Sequence, residues 1–327
     1  MARRGGYTLI ELLTVVAIFG MISIYVGQLL MLNERAYQNV DQTSASQQSL
    51  RAAMEILGRD LRHTGMMVPP IVTACGVDET DSPDRLYLTD AAAIDPQDDV
   101  TGYTGAQITG VTDPGTGAPV SLQLDSLIIE APTVARAAYD TDGNGANDSD
   151  FRLGGGAIVA DLNDPSRGTA CGDVTVVDLA NDRITVDFHT DMAADGGGAQ
   201  LVAVPAVGYR VNNGKLFWNG NLLADGLEDL QVAYIFDVNG DNVIDAGDIR
   251  GVTGANYDSQ DLAGDLLREI RVNLVARNRL EDPDFGTGQL QRTENRSAVG
   301  VVVDGFRRRV LTSRVRLRNS GERMSVL

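Results

Sequence analysis

From Leu12 to Leu32 the chain carries no charged side chain, and only Thr14, Ser23 and Gln28 are clearly polar. At about 1.5 Å per residue, these 21 positions make a helix of about 31 Å, roughly the hydrocarbon thickness of a bilayer. A carboxylate, Glu11, stands at the mouth of this stretch, where a charge is costly and needs a partner. Ahead of it lies a short basic leader with Arg3 and Arg4, ending in Gly5-Gly6. A secretory signal peptide has a shorter apolar core with small residues after it; here the small residues come first. Basic residues before the span keep the N-terminus cytoplasmic and send the rest of the chain outward.

Beyond Asn33 the pattern becomes periodic. Ala36, Val40, Thr43, Gln47, Leu50, Met54, Leu57 and Leu61 recur at spacings of four and three, a heptad-like stripe that is strongest over its last four members. No proline follows until Pro69, and Gly65 is a suitable C-terminal stop. The spacing predicts one helix from about Thr8 to about His63, its first half in lipid and its second laid against a globular domain. Gly20 and Gly27 soften the membrane half, by about 1 kcal/mol each relative to alanine in water.

Residues 66–327 lose helical periodicity and turn to glycine, aspartate and short β-type runs. Expected strands are Arg85–Leu88, Ser121–Glu130, Ala157–Asp161, Val174–Leu179, Arg183–Phe188, Gly208–Val211, Lys215–Trp218, Leu230–Phe236, Arg268–Val275 and Arg309–Arg318. The clearest hairpin turns at Asn212-Asn213-Gly214, because Asn-Gly supplies the positive φ angles of a tight turn. Strands without βαβ alternation give an α+β fold, an antiparallel sheet against the amphipathic half of the helix. One elaborated domain and a core with a large insertion both fit. The stretch from Asp90 to Val120 and the glycine runs 154–156 and 196–198 read as surface excursions.

Gly6 followed by Tyr7-Thr8-Leu9-Ile10-Glu11-Leu12-Leu13 resembles the class III signal of type IV pilins and of type II secretion pseudopilins. That resemblance implies a prepilin peptidase cut between Gly6 and Tyr7 and N-methylation of Tyr7, which stands where the family usually has phenylalanine. It also implies that Glu11 neutralises the terminal ammonium of a neighbouring subunit, a pairing worth most in a dry filament core. A twin-arginine signal lacks its later cleavage site here, and a double-glycine peptide leader would not precede a membrane span. Three further segments are similar to PilW-type minor pilins: Leu50 to Gly65, Leu223 to Val232 and Arg308 to Asn319. The implied organisation is a leader at 1–6, a membrane and filament-core half of the helix at 7–32, an amphipathic half at 33–65, and an extracytoplasmic β-rich domain at 66–327. The implied partners are major and minor pilins, the prepilin peptidase and the inner-membrane assembly platform.

The formal charge is −18, and loss of Arg3 and Arg4 makes it two units more negative. That balance argues against broad nucleic-acid binding. Cys75 and Cys171 lie in the part expected outside the cytoplasm, where a disulfide is the leading reading and two separately buried thiols the alternative. In the segment from Asp237 to Asp248, oxygen-bearing side chains stand at loop positions 1, 3, 5, 9 and 12: Asp237, Asn239, Asp241, Asp245 and Asp248. Val243 at position 7 offers its carbonyl. This is the ligand spacing of an EF-hand-type calcium loop, with Asn242 in place of the usual glycine and Asp248 in place of glutamate. Hard oxygen ligands select calcium over transition metals. A second loop with Asp140, Asp142, Asn144 and Asp148 lacks a good twelfth ligand and reads equally as a solvated turn.

The chain has no G-x-S-x-G elbow, no H-E-x-x-H and no phosphate-cradling glycine loop. Its two histidines, His63 and His189, fall on a helix end and a strand. The expectation is a non-enzymatic minor pilin that joins a filament at or near its tip and helps start assembly. A type II secretion pseudopilin is the alternative, and a tip adhesin or DNA-binding module is the third reading. For DNA the relevant face is Arg314, Arg316 and Arg318 with Arg307–Arg309 nearby, whose alternation with Val315 and Leu317 also marks the solvated side of a half-buried strand.

Overall fold

The computed structural model describes residues 8–65, 68–90, 93, 105–115, 117–128, 140, 143, 145, 147–193, 198–239, 241, 243–252, 267–282, 285–286, 293–296 and 304–317. The chain divides into two units, 1–45 and 46–327. One α-helix, α1 (Leu9–His63), supplies the described part of the first unit and the opening of the second.

In the first unit the large side chains of α1 are uncovered. Leu12, Val15, Phe19, Met21 and Leu30 are all exposed. The most apolar 18-residue window has a mean hydropathy of 2.3 and is 0% buried. The early members of the sequence stripe belong here and are less covered: Ala36 and Val40 are exposed, Val40 at 68%, and Thr43 is half-buried.

In the second unit the same helix changes role. Leu50, Ala53, Met54, Leu57 and Leu61 are buried, so the last four members of the stripe are the ones that find a core. The helix stops where expected: Gly65 takes φ +74°, a left-handed conformation that costs glycine little. Beside it, Thr64 Oγ1 donates to the Thr73 carbonyl at 2.8 Å.

The strands are β1 (Ala74–Val77), β2 (Arg85–Thr89), β3 (Ala106–Thr112), β4 (Val120–Leu124), β5 (Gly156–Asp161), β6 (Thr169–Asp178), β7 (Arg183–Phe188) and β8 (Leu201–Asn212). They continue with β9 (Lys215–Trp218), β10 (Asn221–Asp225), β11 (Leu227–Phe236), β12 (Ile249–Arg250), β13 (Leu267–Arg277) and β14 (Arg308–Arg316). Every pairing is antiparallel, giving an α+β fold. One sheet runs β12-β11-β13-β14. The expected hairpin joins β8 to β9, with Asn213 at φ 50° and Gly214 at φ 74°.

The other strands form a network around β8. Its second half pairs with β2 on one edge and β9 on the other. Its first half pairs with β3 and β5, and the order β8-β3-β4-β7-β6-β5 returns to β8. The result is a closed six-stranded barrel built mainly from residues 106–206. Closure removes free edges. Inward side chains fill the barrel, among them Ala106, Leu122, Ala157, Val174, Ile184 and Ala203. The alternate residues Ile158, Cys171, Val204 and Ala206 face outward onto a second cluster with Val72 and Tyr87. Strand β5 is therefore buried at every position. A third cluster joins Leu50, Leu57 and Leu61 of α1 to Leu86 and Tyr209 and to Val232 and Val272 of the four-stranded sheet.

Cys75 of β1 and Cys171 of β6 form a disulfide with Cα atoms 6.2 Å apart, which ties the barrel to the strand that precedes it. Cross-links of this kind typically stabilise by about 2–4 kcal/mol, chiefly by restricting the unfolded chain.

Two expected excursions prove structured. Strand β3 lies within the stretch read as a loop from Asp90 to Val120, its alternation masked by a register shift between Ile108 and Gly110. Gly155 and Gly156 are buried rather than exposed. A Cβ on Gly156 would stand 2.6 Å from Tyr87 Cδ1, so the glycine is there for close packing. In the other direction, the strand expected over Ser121–Glu130 ends at Leu124, where Asp125 Oδ1 accepts from Gln107 N and Ser126 Oγ donates to the Ile128 carbonyl.

Candidate assembly site

Thr8 is the N-cap of α1: its carbonyl accepts from Leu12 N at 3.2 Å and its Oγ1 accepts from Glu11 N at 3.4 Å. Glu11 reaches back, its Oε2 accepting from Thr8 N at 2.9 Å and from Thr8 Oγ1 at 3.0 Å. This is a capping box, in which side chains satisfy amide groups that an N-terminus leaves open. The carboxylate also lies at the positive end of the helix dipole. Glu11 thus has a local reason to stand where it does, and its carboxylate is held by hydrogen bonds from Thr8 of its own chain. Gly6 and Tyr7, the expected cleavage pair, lie outside the described residues.

The acidic loop is held by its own hydrogen bonds. Asp248 accepts from Val238 N at 3.2 Å and Asp245 N at 2.9 Å, and Asp245 accepts from Gly247 N at 2.7 Å, capping a short 3-10 turn. Asp241 accepts from Val243 N at 2.7 Å and from Asn239 Nδ2 at 2.9 Å. Asp237 pairs with Arg268 at 3.7 Å. Among the described residues no group of three or more acidic, histidine or cysteine side chains is arranged to hold a metal ion. In this arrangement Asp241, Asp245 and Asp248 accept from backbone amides, and Asp237 pairs with an arginine. In the second loop Asp140 accepts from Gly143 N at 2.6 Å and Gly145 N at 2.9 Å, while Asp142 and Asn144 lie outside the described residues.

The arginine face of β14 is largely engaged with acids. Arg308 pairs with Glu228 and Asp304, Arg307 with Asp282, and Arg314 with Glu269. Arg318 lies outside the described residues. His189 is placed by Asp173, which also takes Arg210 at 2.5 Å and Tyr87 Oη at 2.9 Å. Burial pushes the Asp173 carboxyl up, but His189, Arg210 and Tyr87 outweigh it and hold the group below its usual range.

Sequence reasoning missed a buried acidic pair beside the stretch of β11 that β12 does not reach. Asp84 N donates to the Leu230 carbonyl at 2.8 Å, and Asp84 Oδ2 accepts from Val232 N at 2.7 Å, so one residue stands in for a missing strand. Burial, with help from Asp78 and Asp229, pushes the Asp84 carboxyl up to about 8 against two stabilising amides. Burial pushes Asp229 up to about 6, although Arg296 lies 3.3 Å away. No periodicity marks such residues, because their role depends on contacts between distant parts of the chain.

Residues 1–26 match the family model described as a prokaryotic N-terminal methylation motif, and residues 194–319 match that of Type IV Pilus-assembly protein W. No curated protein matches the chain. Among solved structures, the type IV-like pilin TTHA1219 from Thermus thermophilus is similar at 17% identity, over 52% of this chain and 87% of that one, with a TM-score of 0.22. So low a superposition score carries no argument; the likeness rests on the two family models, each matching part of the chain. The chain is therefore similar to type IV prepilins over its N-terminal methylation motif and to the PilW pilus-assembly family over residues 194–319.

Proposed function

We propose that the mature chain enters a pilus-type filament at or near its tip and helps to initiate assembly. The observation that carries this reading is the uncovered apolar half of α1 headed by Glu11, in a chain with a PilW-type C-terminal region. A peptidase cut between Gly6 and Tyr7 with N-methylation of Tyr7 would expose a new terminus beside this helix. The leader side stays cytoplasmic and the domain is exported; the apolar face lies in the inner membrane first and against sister subunits afterwards. A carboxylate has about four lone-pair sites, so Glu11 can keep its cap on Thr8 and still accept a neighbour's ammonium. The partners are then the prepilin peptidase, the assembly platform, and major and minor pilins. Glu11→Ala should leave leader cleavage intact and abolish incorporation into filaments, read by immunoblotting of sheared fibres; normal piliation would contradict the role. The type II secretion reading gains ground if deleting the gene stops protein export while surface fibres persist.

For the loop from Asp237 to Asp248 we propose calcium binding that turns Asp237, Asn239, Asp241, Asp245 and Asp248, with the Val243 carbonyl, from their present partners onto one ion. The support is the ligand spacing.

A further inference from the structure

A cavity of about 430 Å³ opens in the second unit at the seam between the inserted barrel and the rest of the domain. The last turn of α1 brings Arg59, Asp60 and His63 to it, Asp90 follows β2, and β9 contributes Trp218. Arg152 comes from the segment leading into β5, outside the stretch that matches the pilus-assembly family. The size falls in the range of small-molecule sites, about 300–1,000 Å³.

Its polar groups are fixed. Asp60 Oδ2 accepts from Tyr209 Oη at 2.6 Å and Trp218 Nε1 at 3.1 Å, which locks the indole in place. Asp90 pairs with Arg152 at 3.5 Å. The two guanidiniums and the two carboxylates cancel in formal charge, and the C-terminal end of α1 adds partial negative charge. With like numbers of fixed positive and negative groups, the lining is not built around a single net-charged ligand of either sign. It offers donors and acceptors at close spacing around an aromatic wall. A molecule with several hydroxyls, each donor and acceptor, and an apolar C–H face has the matching chemistry.

We propose that this cavity binds one neutral sugar residue, its hydroxyls shared between Arg59, Arg152 and the two carboxylates and its C–H face on Trp218. The inference goes beyond filament assembly, which should proceed normally in variants of this site. Trp218 is the only tryptophan in the chain, so its fluorescence reports on the cavity directly. The test is titration of the detergent-solubilised full-length chain with glucose, galactose, mannose and N-acetylglucosamine separately, with inorganic phosphate as an ionic control. At least one sugar should give a saturable change in the millimolar range, weakened roughly tenfold in Arg59→Ala. The Arg59 side chain is 58% exposed, so that variant should keep its unfolding temperature; Arg152→Gln provides a second check from the barrel side. No saturable response to any of the four sugars overturns the proposal. So does a response to phosphate alone, or a sugar response unchanged in both variants.

Discussion

The two stretches of α1 share a backbone conformation and differ in what covers them. Leu30 and Leu32 are exposed, whereas Leu57 and Leu61 are fully buried among strands of two sheets. Both stretches are rich in leucine, so composition does not separate them. The second interleaves Arg51, Glu55, Arg59 and Arg62 with its apolar residues and shows one face to a core in the same chain. The first is apolar all round, and no single face of a folded domain can satisfy it. Its solvent must be another phase or other copies of the same helix.

Substitution of equivalent leucines tests the contrast most sharply. Leu57→Ala should cost the domain about 2–5 kcal/mol in denaturant unfolding, because a buried leucine leaves a cavity. Leu30→Ala should leave that unfolding curve unchanged, since its side chain touches no core. Equal effects would break the distinction.

A smaller effect belongs to the packed region alone. The folded chain holds a proton on Asp84 up to about pH 8, whereas the unfolded chain releases it near the usual 3.8. Its contribution is fully present below the unfolded value and is lost as pH rises through the folded one. Asp229, pushed up to about 6, acts in the same sense. Stability from this pair should therefore decline between pH 5 and 8, above the range where the lowered carboxylates Asp173 and Asp304 act oppositely. Asp84→Asn should flatten that decline in thermal scans across the window; an unchanged slope would remove the buried acid from the account. The smallest change expected is a rise of a few degrees in unfolding temperature at millimolar calcium. Its absence would leave the acidic loop held by the hydrogen bonds and the Asp237–Arg268 pair already present.

The rod was legible because its signals are local. A run of uncharged residues, a carboxylate at its mouth and Gly65 at the end of the helix each act within one or two turns. The β8–β9 hairpin was legible for the same reason, and β7 and β9 fall on the residues that alternation marks. Closure of the barrel was not legible, because it depends on β5 returning to β8 across about forty residues and on glycines that serve as packing positions. The capping role of Glu11 was written in Thr8-Leu9-Ile10-Glu11 and was masked by the stronger pilin motif that shares those residues. The acidic loop showed its ligand spacing, but hydrogen-bond competition from its own amides lies beyond what spacing can reveal.

The most direct test of the account is the N-terminal peptide of the chain recovered from sheared filaments and sequenced by mass spectrometry. The account requires it to begin at Tyr7 carrying one methyl group on its amine. A chain that retains Met1, or that starts at any other residue, would contradict it.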